Sequence, residues 1–188
     1  NGPPDSYLYD PAKPVPTLGG LNLFLEKGPY DQRDLELRDD VLTYTTAHLD
    51  EPVVVAGQIR VSLWASSSSE DTDFMAKLCD VYPDGRSMLI LDGAIRARFR
   101  DGFRAEKFMT PGEAYRFDIK LGHTALAFGN GHRIRLAISS SNSPRFHLNP
   151  NTRTEFRSDS VGVIATNTIY HDETHLSALV LPILPLDD

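Results

Sequence analysis

Two histidines four residues apart, His171 and His175 in His-Asp-Glu-Thr-His, form the arrangement closest to a metal site in this chain. On a helix, that spacing puts both rings on one face, where a third ligand completes a zinc site. Here the segment lies between two alternating β patterns, and the order is not that of the His-Glu-x-x-His zinc proteases. A polar loop between strands therefore accounts for it more simply. Glu70, Asp71 and Asp73 gather three carboxylates in four residues, which is the oxygen-rich chemistry calcium prefers. The spacing is not that of an EF-hand, and acidic loops are common. Asp71, Asp73, His171 and His175 are thus weak candidates for metal ligands, and no cofactor is expected.

For nucleophilic catalysis, a serine needs a base within hydrogen-bond reach and a third group to orient that base. Serines cluster at 66–69 and at Ser139, Ser140, Ser141 and Ser143, with His147 close behind the second cluster. The Gly-x-Ser-x-Gly elbow that presents a hydrolase nucleophile occurs nowhere. A polar loop whose side chains bond their own backbone explains both runs. Arg96, Arg98 and Arg100 recur at period two, with Ile95, Ala97 and Phe99 between them. Read as a strand, they form a guanidinium stripe on one sheet face, either solvated or docked against acidic groups of another domain. Trp64, the single tryptophan, sits on the polar side of its strand and offers one aromatic platform for a sugar or for an interdomain seam.

These residues are positioned by strands. Ile59, Val61, Leu63 and Ala65 alternate against Arg60, Ser62 and Trp64. Tyr115, Phe117, Ile119 and Leu121 alternate against Arg116, Asp118 and Lys120, and Ile134, Leu136 and Ile138 against Arg133 and Arg135. Further strands are expected near 41–46, 74–82, 87–99, 160–170 and 176–184. Turn signals separate them at Pro83-Asp84-Gly85, Asp101-Gly102, Pro111-Gly112 and Gly129-Asn130-Gly131. Gly93 reads as a bulge, and short helical turns are expected near 124–128 and 144–148. Eight or nine strands without a long amphipathic helix give an all-β sandwich. Residues 1–40 differ. Six prolines and Gly19-Gly20 mark an extended leader that wraps a surface, with Tyr7, Leu8, Tyr9, Leu21, Leu23 and Phe24 arguing against free disorder. The organisation read from sequence is therefore a leader over 1–40 and a β-sandwich domain over 41–188.

Composition restricts the partners. Across 188 residues, 40% are hydrophobic and 24% charged, as in a soluble folded domain. Lys and Arg number 19 against 26 Asp and Glu, and the net charge of −7 disfavours nucleic acid. The apolar runs are too short to span a bilayer, so no membrane partner is expected. Cys79 is the sole cysteine, which excludes an internal disulfide and fits a cytoplasmic rather than a secreted protein. The chain starts at Asn1 without a signal peptide, and an upstream portion is expected to have been removed.

Several separated motifs resemble one family. They are Asp71-Thr72-Asp73-Phe74 with Ala76-Lys77-Leu78 and Pro83-Asp84-Gly85, the run from Asp92 to Arg100, the loop from Ser139 to Phe146 with Asn149-Pro150-Asn151-Thr152, the leader from Asp10 to Gly20, Asp50 to Val53, and His171…His175…Leu179 to Pro182. Together they resemble the C-terminal, non-catalytic part of the cocaine-esterase-like and X-prolyl dipeptidyl-peptidase serine hydrolases. The resemblance implies a jelly-roll β-sandwich of the galactose-binding-like kind. It also implies a partner, an α/β-hydrolase catalytic domain in the same parent chain, which holds the whole triad. None of the family's catalytic residues falls on this sequence. The implied role is to brace that domain and shape substrate access. Arg96, Arg98, Arg100, Pro144, Arg145, Asn149 and Asn151 are the residues expected at the interdomain contact. The rival readings are a free-standing carbohydrate-binding module and a metal enzyme built on the two histidines.

Overall fold

The structure is a computed structural model that describes residues 2–154 and 162–185. Strand β3 (Val53–Ser67) is its spine, because its alternating apolar residues run almost unbroken for 15 positions. On one side it pairs with β6 (Tyr115–Phe128), from Val53 opposite Phe128 to Ala65 opposite Tyr115. Along its other side lie β8 (Ala165–Tyr170), β9 (Ala178–Val180) and β10 (Ile183–Leu184) in turn. Strand β1 (Asp5–Tyr9) extends this sheet beyond β8. The second sheet runs β2 (Leu42–Thr45), β7 (Arg133–Ser139), β4 (Asp73–Val81) and β5 (Ser87–Arg96). All these pairings are antiparallel, and the result is the expected all-β sandwich.

The core lies between the sheets. Ile59, Val61, Leu63, Phe117, Ile119 and Ile169 face Phe74, Ala76, Leu78, Leu136 and Ile138. Phe74 and Phe117 meet across the middle with ring centroids 4.8 Å apart. Each large side chain buried here contributes about 1.5–3 kcal/mol, an upper range because the unfolded chain already hides some surface.

The leader holds more regular structure than its prolines suggest. It wraps this sandwich itself and supplies a strand, β1, whose Tyr7 and Tyr9 are buried in the core. The six residues between Pro4 and Pro11 are too few for a period to show. Farther on, the Gln32 N–H donates to the Ser87 carbonyl, and Leu89 N–H donates to the Tyr30 carbonyl. The leader thereby covers the edge of β5, where unpaired backbone would otherwise invite association. Gln32 reaches over β4 to accept from Lys77 Nζ at 2.9 Å. All nine residues of β4 are consequently buried, which explains why its sequence does not alternate cleanly.

Other differences are local. Residues 124–128 finish β6 rather than forming a helical turn, and 144–148 form a non-helical turn after a cis Ser143–Pro144 bond. The helical pieces described are α1 (Arg33–Glu36) and a 3-10 turn over Ala97–Phe99. Gly93 is not a bulge: it pairs regularly with Ala76, and the extra residue in that ladder is Ile90. Gly93 is needed for a close approach instead, since a Cβ there would sit 2.4 Å from the Lys120 carbonyl of the facing sheet. The expected strand over 160–170 begins at Ala165; residues 160 and 161 lie outside the described residues.

Candidate functional site

The Asp71-Thr72-Asp73 motif leads into β4, and its two carboxylates are buried. Asp73 lies directly opposite Arg96 in the β4–β5 register and receives both arms of its guanidinium, at 2.8 and 2.9 Å. Asp71 accepts from the backbone N–H of Arg98 at 2.9 Å and from its Nε at 2.8 Å. Asn149 Nδ2 bridges the pair, donating to Asp71 at 2.7 Å and to Asp73 at 2.8 Å. The other guanidinium nitrogens of Arg98 donate to the carbonyls of Thr152 and Thr154 and to Glu106. Asn151, in the left-handed region at φ 62°, donates its N–H to Asn149 Oδ1 and its amide to the Val163 carbonyl. Asp92 closes the row, holding Arg145 and the amide of Asn142. One polar seam thus welds the 139–154 loop to β4 and β5. Burial raises the Asp73 carboxyl above its ordinary pKa, while Arg96 and Asn149 oppose that rise and favour the ion pair. Bidentate pairing with further amide donors is the arrangement that makes burying such charges tolerable.

The arginine stripe expected from period two is therefore corrected. The strand ends at Arg96, and the 3-10 turn that follows points the three side chains differently. Arg98 is 4% exposed and serves the seam. Arg100 lies over the Tyr115 ring at 4.4 Å and donates to the Ala97 and Lys107 carbonyls. Asn149 and Asn151 are buried too and bond within the chain. Arg96, Arg100 and Arg145 reach a cleft of about 690 Å³ shared with Phe99, Phe103, Phe146 and His147, and Pro144 is exposed beside it.

The metal candidates are occupied by protein. The Asp71 and Asp73 oxygens are taken by guanidinium and amide donors, as above. His171 and His175 sit in the turn between β8 and β9 rather than on a helix. His171 Nε2 donates to Asp5 at 3.0 Å, whereas the His175 ring packs against Trp64 and Tyr170, at 5.0 and 5.4 Å between centroids. Among the described residues, no three His, Cys, Asp or Glu side chains gather to hold a metal ion. Trp64 consequently packs edge-to-face on a histidine of its own chain. The serines are structural as well: Ser139 Oγ donates to the Ser141 carbonyl, Ser140 Oγ meets Tyr7 and Asn167, and Ser141 Oγ accepts from Val15. Burial pushes the Cys79 thiol up to about 12, which leaves it inert.

Leu21, Leu23 and Phe24 do not wrap inward. They stand on a hairpin closed by reciprocal hydrogen bonds between Gly20 and Gly28, at 2.8 and 3.1 Å. Asn22 braces it from inside, donating to the carbonyls of Gly19 and Glu26. Gly19, at φ 68°, has no room for a side chain, because a Cβ would lie 2.5 Å from the Gly28 carbonyl. The tip is solvent-facing: Leu23 is 87% exposed and Phe24 97%. Its base rests on the seam, since a Cβ at Gly20 would lie 3.0 Å from Arg145 and 3.4 Å from Asp92. The hairpin and the Arg145 rim are therefore contiguous.

The family model of the X-Pro dipeptidyl-peptidase C-terminal non-catalytic domain matches residues 1–180. The chain belongs to that family. The match begins in the leader, as the pairing of β1 requires. Within this domain family, the chain is 44% identical over 184 residues to the cocaine esterase of Rhodococcus sp. (strain MB1 Bresler), covering 96% of this chain and 32% of that protein. It superposes on an alpha-amino acid ester hydrolase with a TM-score of 0.89 at 31% identity, covering 96% of this chain and 32% of that one. An aminopeptidase from a marine sediment Thaumarchaeota archaeon gives the same TM-score at 29% identity, with 98% and 34% covered. The chain thus spans about a third of the length of these relatives.

Proposed function

We propose that this chain is the accessory domain of a serine hydrolase of the acyl-esterase or Xaa-Pro dipeptidyl-peptidase type. It docks on an α/β-hydrolase domain of the same polypeptide through the Leu21–Leu25 hairpin and the rim of Arg96, Arg100, Pro144 and Arg145. The chemistry of the whole would be acyl transfer through a serine acyl-enzyme with water as final acceptor. The observation that carries the reading is the hairpin. Leucine and phenylalanine at such exposure, on a turn shaped by Gly19, Gly20 and Asn22, present an apolar surface that the described residues leave uncovered. Burying each would contribute about 1.5–3 kcal/mol to docking.

The test begins with the coding sequence upstream of Asn1, where an in-frame hydrolase domain with a Gly-x-Ser-x-Gly elbow is expected. In that polypeptide, Leu23→Ser with Phe24→Ser should lower ester or Xaa-Pro hydrolysis and the melting temperature. The same pair in the 188-residue chain alone should leave its melting temperature unchanged. A full-length enzyme indifferent to both substitutions would refute the docking role.

A further inference from the structure

The two sheets do not close against each other at the edge formed by β2 and β9. Between them is a pocket of about 300 Å³ that shares no lining residue with the docking face proposed above. Val61, Leu63 and Ile169 form one wall, and Ile134, Leu136 and Ile138 the other. Close-packed interiors leave few voids larger than a water molecule, and a dry apolar cavity of about 150 Å³ already admits benzene. This pocket therefore has room for one ring and a short side chain. It stays open because its mouth carries small residues, Thr45 and Thr46 after the inward-facing Tyr44, and Ser177 and Ala178 at the start of β9.

The mouth is polar in a particular way. Tyr44 and His171 both line it, and both donate to a single oxygen, Oδ2 of Asp5, at 3.1 and 3.0 Å. Their rings meet edge-on at 6.2 Å. A half-exposed carboxylate thus lies one hydrogen bond from two lining residues. Aliphatic walls with a few convergent polar groups at one end are the usual make-up of a small-molecule site. We propose that this pocket binds a small amine, with a monocyclic aromatic or branched aliphatic body between the sheets and an ammonium group at the mouth facing Asp5.

The experiment uses the 188-residue chain and three probes that share one body: 2-phenylethylamine, 2-phenylethanol and phenylacetate. Calorimetry should show saturable one-to-one binding of the amine, with the carboxylate at least tenfold weaker and the alcohol between them. Methyl resonances of Ile134, Leu136 and Ile138 should shift on titration. Asp5→Asn should remove the advantage of the amine over the alcohol while both still bind. Ala178→Leu, which fills the mouth, should weaken all three probes at least tenfold, with unchanged melting curves showing that each variant folds. Absence of saturable binding, binding that survives Ala178→Leu in a folded variant, or an amine preference that persists in Asp5→Asn would each overturn the proposal.

Discussion

Replacing Arg98 by alanine tests whether the seam holds the 139–154 loop in place. The side chain is 4% exposed, and its loss would strip the buried Asp71 carboxylate of its guanidinium partner. It would also release the Thr152 and Thr154 carbonyls. Breaking a buried pair by removing one partner costs roughly 3–5 kcal/mol, because the other charge stays buried. For a chain of this length each kcal/mol moves the melting temperature by about 2–4 °C, so the expected drop is roughly 6–20 °C. The control is Arg116→Ala. Its pair with Asp118 is 56% and 61% exposed, and screening by water limits such a pair to about 1 kcal/mol at most. Removing both buried charges, with Asp71→Leu and Arg98→Met, should restore only part of the loss. Asp71 also accepts from the Arg98 backbone and from Asn149, and those donors would lose their acceptor. Urea or thermal unfolding followed by circular dichroism reads all four proteins. If Arg98→Ala destabilised no more than Arg116→Ala, the seam would be ornamental and this account of the loop wrong.

Two further perturbations examine the packing. Gly93→Ala should cost about 1–3 kcal/mol by overpacking, since its Cβ would press on Lys120 and Leu121 backbone. Gly129→Ala, which meets only the His132 ring at 3.0 Å, should cost visibly less in the same unfolding assay. Lys77 is predicted to give a pH signature. Burial lowers its pKa from the ordinary 10.5, with Cys79, Asp92 and Glu36 acting in the opposite direction. The unfolded chain then binds more protons than the folded one in the window just below 10.5, so this group's contribution to stability grows as pH rises through it. The stability difference between the native chain and Lys77→Met should therefore shift in favour of the native chain with rising pH. A flat difference measured by urea unfolding would show that Lys77 titrates as a solvated amine.

The alternating segments were readable because strand periodicity survives wherever one face is buried and the other is wet. That condition holds along β6, through the middle of β3 and in the first half of β7. It fails in β4, which is covered on both faces, and in β1, which has only five residues. The charged motifs stood out in sequence, but their pairing did not. Asp73 and Arg96 are 23 residues apart, and only the β4–β5 register sets them opposite one another. Period two carried Arg98 and Arg100 onto a strand face because nothing local marks the change to a 3-10 turn after Arg96. The leader's apolar residues were legible as residues that need a surface. Which of them find it within this chain depends on the fold: Tyr7 and Tyr9 do, whereas Leu23 and Phe24 do not.

That division has a physical logic under the docking role proposed above. Loops are ordinarily the mobile part of a β-sandwich, and a mobile docking surface would lose binding energy to ordering. Here the irregular segments are held by buried charge pairs, side-chain amides and glycine-specific turns in place of a hydrophobic core of their own. Gly20 joins the two systems, because it is packed on Arg145 and Asp92 of the seam and forms the base of the exposed hairpin. A side chain at Gly20 would press on Arg145 and Asp92, which would have to give by a few tenths of an ångström, and it would have to adopt φ 91°. The hairpin's position is therefore set by the same charges that fix the 139–154 loop. Under the docking role proposed above, loosening the seam should weaken docking through Gly20, without any change to the hairpin's own apolar residues.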